Sequence, residues 1–429
     1  MSCFYVIGSG VSAYIAALSL ADCGRRVVIV DGDDPPAKLE HSHLILAGGW
    51  RALLNIAPDL EQHVSAAAIV DATAGWNFRS VIGSLPRCRS GVFSPVISAK
   101  GLLSALKSVA AARGNITRLN RSPESIVAMM KARSSDFFVI ASGFRGAITD
   151  LVMEDTNGVT RVEHGSKCQS LYSTFTYQIP KAVLPDWRVL VRDLRIDGTR
   201  GLLCTVSSDG IATISAVSSG EKPCPIRTPQ ELARFLRDLK CTKYLTFIGK
   251  STLLDRPRWY RFTGGMHRVT NAENGWRKNI ILFGDAFGYS DPYFGHGIFQ
   301  AAMQGLALNK LLLRYPPYEA LANFRIEQMA LFTHGLSIQK MIQSPYSSDQ
   351  VTWHRRMASK LLLRHSRALL TKLINKMHLI LLYEKYLKQW SKDYEEEDYE
   401  TGDSGTQNNV SNLERHRPEP SDRRVAIHF

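Results

Sequence analysis

The sequence predicts an α/β protein in which a Rossmann-like parallel-sheet domain is interrupted by a mostly antiparallel β-sheet insertion and followed by C-terminal helices. Three observations carry this. The first thirty-one residues read as strand, glycine turn, helix and second strand. A β-rich stretch with alternating polarity follows at about 167–219, and a second strand-glycine-helix signature stands at 279–313. Strands separated by helical spans make a parallel sheet, whereas neighbouring strands joined by short turns make an antiparallel one.

In the first signature, Cys3 to Ile7 is an apolar, partly β-branched run suited to a buried parallel strand. The turn Gly8-Ser-Gly-Val-Ser-Ala13 leads into a small-residue helix from Val11 to Cys23, which Gly24 ends, and the strand Arg26 to Val30 delivers Asp31 at its tip. A dinucleotide needs this arrangement. Gly8 permits the sharp bend, Gly10 lets backbone N–H groups approach a pyrophosphate, and Ala13 keeps helix and strand close, while Ser9, Val11 and Ser12 complete the turn and the helix N-terminus. Asp31 is placed to accept from both ribose hydroxyls, and its carboxylate would repel a 2′-phosphate. The site therefore favours FAD or NAD over NADP.

Further along, His41 to Leu54 shows helical periodicity across a Gly-Gly step, Val92 to Ser98 reads as a strand, and Ala99 to Ala112 as a helix. Ser135 to Gly143 is a hydrophobic strand ending at small residues. Ser170 to Ile179 alternates, and Gly201–Val206 and Ile211–Val217 flank the turn Ser207-Ser-Asp-Gly210 as a hairpin. Thr228 to Leu239 is a short amphipathic helix with Glu231 near its start. The expected organisation is a discontinuous cofactor domain over 1–165 and 276–345, a substrate domain over 166–275, a basic helical appendage over 346–392 and a disordered tail over 393–429. Tyr172, Phe175, Tyr177 and Trp187 are aromatic lining candidates for the insertion; for any single one of them, packing of a sheet face is the stronger reading.

The second signature is the more specific. Asn279 to Phe283 runs as a strand into Gly284-Asp-Ala-Phe-Gly-Tyr-Ser-Asp-Pro-Tyr-Phe-Gly-His-Gly-Ile298, ahead of a long helix from Gln300 to Leu313. Asp285 can bind a ribitol or ribose hydroxyl, and Pro292 offers a rigid wall without an N–H. Gly295 and Gly297 let the backbone approach a flat ring. The helix N-terminus at His296, Gly297 and Ile298 supplies positive potential to charge developing on a reduced flavin.

Gly8-Ser-Gly10 with Asp31, then Asp136 to Gly146, then Gly284-Asp-Ala286 with Pro292, Gly295 and Gly297, occur in an order that resembles the FAD-dependent aromatic-hydroxylase-like monooxygenases of the para-hydroxybenzoate hydroxylase fold. His41 to Gly49 and Thr199 to Cys204 through Asp209-Gly210 are similar to its branch of bacterial antibiotic-pathway hydroxylases and olefin epoxidases. The resemblance spans roughly residues 3 to 320. It implies a GR2-type FAD domain, non-covalent FAD, reduction by NAD(P)H directly or through a partner flavin reductase, and O2 trapped as a flavin C4a-hydroperoxide. One oxygen atom would pass to an apolar or aromatic small molecule, by hydroxylation or epoxidation, in a secondary-metabolic biosynthesis. Two positions depart from the pattern, with Glu40 and Lys100 where arginines are usual. Lys100 can meet a phosphate or an adenine edge as a point charge but lacks the bidentate fork. The alternatives are a flavin-dependent reductase, a halogenase-like oxidoreductase and a flavin-binding protein that does not oxygenate. No W-x-W-x-I-P segment accompanies Trp187. The reactive oxygen belongs to the cofactor, so no catalytic acid or base is assigned; His296 is suited equally to relaying a proton and to capping a helix.

Composition narrows the remaining classes. The 429-residue chain is 45% hydrophobic and 21% charged, ordinary for a globular protein. It enters a core strand within three residues, which argues against a signal peptide, and no apolar run approaches the roughly 20 residues of a spanning helix. Cytoplasmic placement is expected. Its seven cysteines form no C-x-x-C pair, arguing against zinc or iron–sulfur ligation. Much of the net charge of +14 is local to 351–392, where leucines and basic residues alternate at helical spacing. That segment is expected to pack over the flavin domain with its charges in solvent; peripheral contact with an anionic membrane, or with a partner, is the other reading. No recognition motif accompanies the charge, so nucleic acid is not expected as a partner.

Overall fold

The computed structural model describes residues 2–31, 41–72, 74–80, 83–84, 89–133, 135–143, 148–149, 159–193, 200–220, 224–242, 245–270, 278–290, 296–347 and 366–389. In chain order the elements are β1 (Phe4–Ile7), α1 (Val11–Asp22), β2 (Val27–Asp31), β3 (Ser42–Leu44), α2 (Ala47–Ile56), β4 (Ile69–Asp71), β5 (Trp76–Ser80), β6 (Gly83–Ser84), β7 (Phe93–Ser98), α3 (Ala99–Ala111), β8 (Ile116–Asn120), α4 (Pro123–Ala132) and β9 (Phe137–Ile140). The second half adds β10 (Val159–Gln178), β11 (Val189–Asp193), β12 (Arg200–Val206), β13 (Ile211–Gly220), α5 (Pro229–Asp238), β14 (Thr252–Leu253), β15 (Arg258–Thr270), β16 (Ile280–Leu282), β17 (Gly288–Tyr289), α6 (His296–Arg314), α7 (Pro317–Ser347) and α8 (Arg367–Met377).

Among the described residues, two large sheets organise most of these elements, and β3, β7 and β4 form a small third one. The first is parallel throughout, in the order β16-β9-β1-β2-β8. Its central strands are apolar at every position because helices cover both faces: Phe4, Val6, Ile7, Phe138, Val139 and Ile140 are fully buried. α1 is buried along nearly its whole length, packing on α6 and α3. Its small residues permit that approach. A Cβ on Gly305 of α6 would lie 2.5 Å from Ser19 Oγ.

The second sheet is nine-stranded and mostly antiparallel, with β10 at its centre between β15 and β13. The expected hairpin is present, Val206 pairing with Ala212 across a turn in which Gly210 takes φ +85°. A Cβ on Gly210 would meet the Ile179 carbonyl oxygen at 2.6 Å. α5 starts with a capping box between Thr228 and Glu231 and covers one face of the sheet. The sheet also recruits β5, parallel to β11, from before the insertion, and β17 from after it.

Residues 41–44 do not form the expected start of a helix. Ser42 and Leu44 pair with Ser98 and Val96 of β7, and Ser42 is held to the large sheet by its N–H donating to Thr213 Oγ1 at 2.7 Å. Helix begins only at Ala47. The periodicity missed this because alternation over so short a span looks the same in both periods.

Of the basic C-terminal stretch, 348–365 lies outside the described residues, as does the tail from 390 onward. α8 packs Leu370 and Ile374 against Ala47, Ala72 and Val92. Lys372 and Lys376 stay exposed. His378, just beyond, binds the start of α2: Gly48 N–H donates to its carbonyl at 2.9 Å, and its Nδ1 meets Ser94 Oγ at 2.9 Å. The chain from Met1 to Tyr383 forms one compact unit. No helix among the described residues is long and apolar enough to cross a membrane.

Candidate functional site

Three turns meet at the carboxyl ends of β1, β9 and β16. Gly8 takes φ +130°, and a Cβ there would lie 2.7 Å from the Ala141 carbonyl oxygen, so the first turn lies against the end of β9. Gly284 takes φ +59°, and a Cβ there would lie 2.6 Å from Ser12 Oγ. The two glycine signatures, far apart in sequence, are therefore in contact. The Gly284 turn is held by a buried amide network: its N–H donates to Gln304 Oε1 at 2.7 Å. Gln328 Nε2 donates to the same oxygen at 3.1 Å and to the Leu282 carbonyl at 2.8 Å.

The first turn is open where a phosphate would approach. Gly10 is exposed, and a Cβ on it would have nothing within 4 Å. α1 starts at Val11 with no side-chain cap and no acidic residue in its first turn, so its own residues leave the positive end of the helix without a counter-charge. Ser9, Val11 and Ser12 are half-buried beside it and Ala13 is fully buried, as close helix–strand packing requires. Asp31 ends β2 as expected. Its carboxylate accepts from Arg118 of β8 at 2.8 Å, leaving a second oxygen for a hydroxyl donor.

Next to Gly284, Asp285 is open to solvent but crowded by surrounding protein. Desolvation raises its pKa to about 6. A Cβ on Gly297 would lie 3.8 Å from Asp285 Oδ1, so the carboxyl stands over the first turn of α6. His296 is buried in that turn and its pKa is lowered to about 4 by burial, which keeps it neutral. Ile298 is half-buried, whereas Pro292 and Gly295 lie outside the described residues, as does Glu40. Lys100 is exposed in the first turn of α3, whose N-cap Ser98 accepts from Gly101 N–H at 3.1 Å and donates to Asp209 at 2.6 Å.

The sequence marks His41 to Gly49 as a family-like segment but assigns His41 and His43 no role. Their Nε2 atoms are 3.1 Å apart and their rings meet edge to face at 4.5 Å. Both pKa values are lowered, His43 to about 3, by burial first and then by Arg258 on His41 and by His41 on His43. The signal was available in the H-x-H spacing, which puts both rings on one side of a strand; it was hidden by reading the segment as helix.

The aromatic candidates separate by face. Phe175, Tyr177 and Trp187 are packed under α5 with Leu232 and Phe235. Tyr172 alone lies on the other face, stacked on Tyr260 at 5.6 Å beside Phe262, Val217 and Tyr289. That is the face on which Ser42 and Leu44 of β3 pack, through Thr213, Val189 and Val191.

These residues fit a flavin dinucleotide. An uncapped helix N-terminus stands over an open glycine, a strand-end carboxylate suits a ribose, and a second desolvated carboxyl at a glycine-rich helix start suits a polyol. Bound there, FAD would supply the redox and oxygen chemistry. Gly10 and the start of α1 would hold the pyrophosphate, Asp31 the ribose, and Asp285 with Gly297 the flavin end.

No protein-family model matches the sequence, and no curated protein matches it. Solved structures do match. The chain superimposes on a tetrameric form of 2-methyl-3-hydroxypyridine-5-carboxylic acid oxygenase with a TM-score of 0.58 at 14% identity, covering 84% of this chain and 96% of that one. It matches a p-nitrophenol 4-monooxygenase from Pseudomonas putida with a TM-score of 0.59 at 12% identity, covering 89% and 98%. It also matches a flavin-dependent halogenase with a TM-score of 0.55 at 14% identity, covering 87% and 72%. Over its parallel sheet, its large antiparallel sheet and the helices between them, this chain has the fold of the aromatic-hydroxylase-type flavin monooxygenases.

Proposed function

We propose that this protein is an FAD-dependent monooxygenase that transfers one oxygen atom from O2 to an apolar or aromatic small molecule, in hydroxylation or epoxidation, within a biosynthetic pathway of secondary metabolism. The contact between Ser12 and Gly284 carries the reading, because it makes one continuous wall from two turns each suited to one end of FAD. The fold shared with oxygenases supports it.

In this reading the chain binds, orients and excludes water. The start of α1 and Asp31 anchor the adenosine diphosphate half. Asp285, half-protonated near pH 6, can accept from or donate to a ribitol hydroxyl. The first turn of α6 aims its backbone N–H groups at charge that develops on reduction. The face bearing Tyr172, Tyr260, Phe262 and Tyr289 is the apolar wall against which a flat substrate would lie. The reductant is NAD(P)H, acting directly or through a separate flavin reductase.

The reading is tested by loading the protein with FAD and following NADH and NADPH oxidation, with and without an added flavin reductase, across a panel of aromatic and olefinic compounds in ¹⁸O2. Product carrying one labelled oxygen supports it. FAD reduction with release of hydrogen peroxide alone, for every compound and reductase, would replace it with a reductase or a flavin-binding role. A halogenated product in the presence of halide would favour the chemistry named for the halogenase neighbour.

A further inference from the structure

The turn that presents Asp285 is held from two sides. Gln304 of α6 accepts from the Gly284 N–H on one side, and β15 holds the other. Arg268 of β15 donates from its main-chain N–H to the Phe287 carbonyl at 2.8 Å and from its guanidinium to the Ala286 carbonyl at 2.7 Å. Phe287 N–H closes the turn on the Gly284 carbonyl at 3.0 Å. One residue of the large sheet therefore grips the two carbonyls that follow Asp285, on the turn that also meets Ser12. Among the described residues, Arg268 is the one Lys, Arg, Asp or Glu that is fully buried, at 1% exposure. Stripping water from a guanidinium is costly and is offset only where its N–H groups meet acceptors. A bond from an ionised donor is about twice as strong as a neutral one, so Ala286 is held more firmly than a neutral side chain would hold it.

β17 follows the turn at once and ties to the same piece of β15. Gly288 pairs with His267 and Tyr289 with Met266. A Cβ on Gly288 would lie 2.9 Å from both His267 Cβ and the Met266 carbonyl oxygen, so the strands meet with no side chain between them. His267 is itself fixed: its Nδ1 lies 2.8 Å from His164 Nε2, and its ring packs on Phe287 and Phe332. Tyr289 meets Phe262 edge to face at 6.2 Å, in the cluster that carries Tyr172 and Tyr260. Met266, His267 and Arg268 thus join the turn after β16 to the aromatic face of the large sheet.

We propose that Arg268 is a positioning residue: through the Ala286 carbonyl it fixes the turn that presents Asp285 to the flavin end of the cofactor, and with Met266 and His267 it sets that turn against the aromatic face. This rests on the FAD reading and adds to it a residue that, being buried, acts through the turn and does not itself reach the cofactor. Without the guanidinium the turn keeps Gln304 and the main-chain bond to Phe287 but loses the hold on Ala286, and Asp285 can shift relative to Tyr289.

The test compares three variants of the full chain by FAD fluorescence titration, visible circular dichroism of the bound flavin and thermal melts. Arg268→Met is expected to weaken FAD binding roughly tenfold or more and to change the visible dichroism, which reports how the flavin ring is held. Arg268→Lys, which keeps a charged donor, is expected to recover part of both. Arg25→Met is the control for lost stability: it removes the same kind of bond, from Arg25 to the Leu312 carbonyl at 2.9 Å, near the far ends of α1 and α6. It is expected to lower the melting temperature and to leave affinity and dichroism native. Native affinity and dichroism in a folded Arg268→Met overturn the inference and leave the FAD reading standing, as does an equal loss in Arg25→Met. If Arg268→Met does not fold, native affinity and dichroism in Arg268→Lys overturn it in the same way. A native chain that binds no FAD overturns both.

Discussion

Ser12 and Gly284 stand so close that a single methyl group on the glycine would lie 2.6 Å from the serine hydroxyl. This contact joins the end of the first parallel strand to the end of the last, and it makes opposite demands on two glycines. Gly284 has neither room nor an ordinary φ for a side chain, while Gly10, at φ −83°, has both.

Gly284→Ala is expected to destabilise the protein by about 1–3 kcal/mol, from a positive φ and the clash with Ser12, and to weaken FAD binding. Gly10→Val should leave the thermal transition near that of the native chain and still weaken FAD binding at least tenfold. Paired melts and fluorescence titrations check both; a Gly10→Val protein that binds FAD normally would remove the pyrophosphate from that turn.

Gln304 is the acceptor for the Gly284 N–H, and Gln328 holds its orientation. Both are nearly fully buried. Gln304→Ala is expected to cost about 1–3 kcal/mol, because it leaves the buried Gly284 N–H without its acceptor and takes from the Gln328 amide one of its two. Gln304→Leu, which fills the space but cannot accept, should cost as much by denaturant titration.

Acid should destabilise the unliganded protein well above the pH at which its ordinary carboxylates titrate. Burial lowers the pKa of His296 and His378 to about 4 and of His43 to about 3. Each gains protons more readily when unfolded, so the stability it contributes is complete above about pH 6.5 and is lost as pH falls toward the folded value. Asp285 works in the opposite sense, gaining stability as pH falls through about 6, but it is one group and exposed. A loss of roughly 2 kcal/mol or more between pH 7.5 and 5 is expected from denaturant melts. Unchanged stability over that range would show the histidines to be solvated.

The C-terminal helix is tied to the start of α2 at Gly48, where a Cβ would lie 2.7 Å from the Leu379 carbonyl oxygen. Gly49 next to it packs on Phe299 of α6. Gly48→Ala is expected to destabilise by about 1–3 kcal/mol through overpacking, whereas Gly114→Ala, with open space around it, should be neutral. Equal melting temperatures for the two would mean that residues beyond α8 do not close against α2.

Local chemistry made much of this legible in the sequence. β1, α1, β2, α3, α5 and the 206–212 hairpin follow from period, caps and turn glycines, all set within a few residues of themselves. What could not be read depends on distant partners. The segment 42–44 is a strand because Ser98 and Thr213 are there to receive it. β5 pairs in parallel with β11, a strand more than a hundred residues on. The sheet face of each aromatic is a matter of register: Tyr172 and Phe175 read alike in sequence, yet one faces β3 and the other α5. The meeting of Ser12 with Gly284 was implied by the two signatures, but Gln304 and Gln328, which hold it, carried no signal as ordinary polar positions on helices.

The measurement that bears most directly on the central claim is the flavin content of the purified chain, read by visible absorbance and acid release before and after incubation with excess FAD at pH 6 and pH 8. About one FAD per chain, lost in Gly10→Val while the fold is kept, is the expected result. A folded protein that takes up no flavin under either condition would contradict the account, and with it the assignment of Gly10, Asp31 and Asp285 to a cofactor.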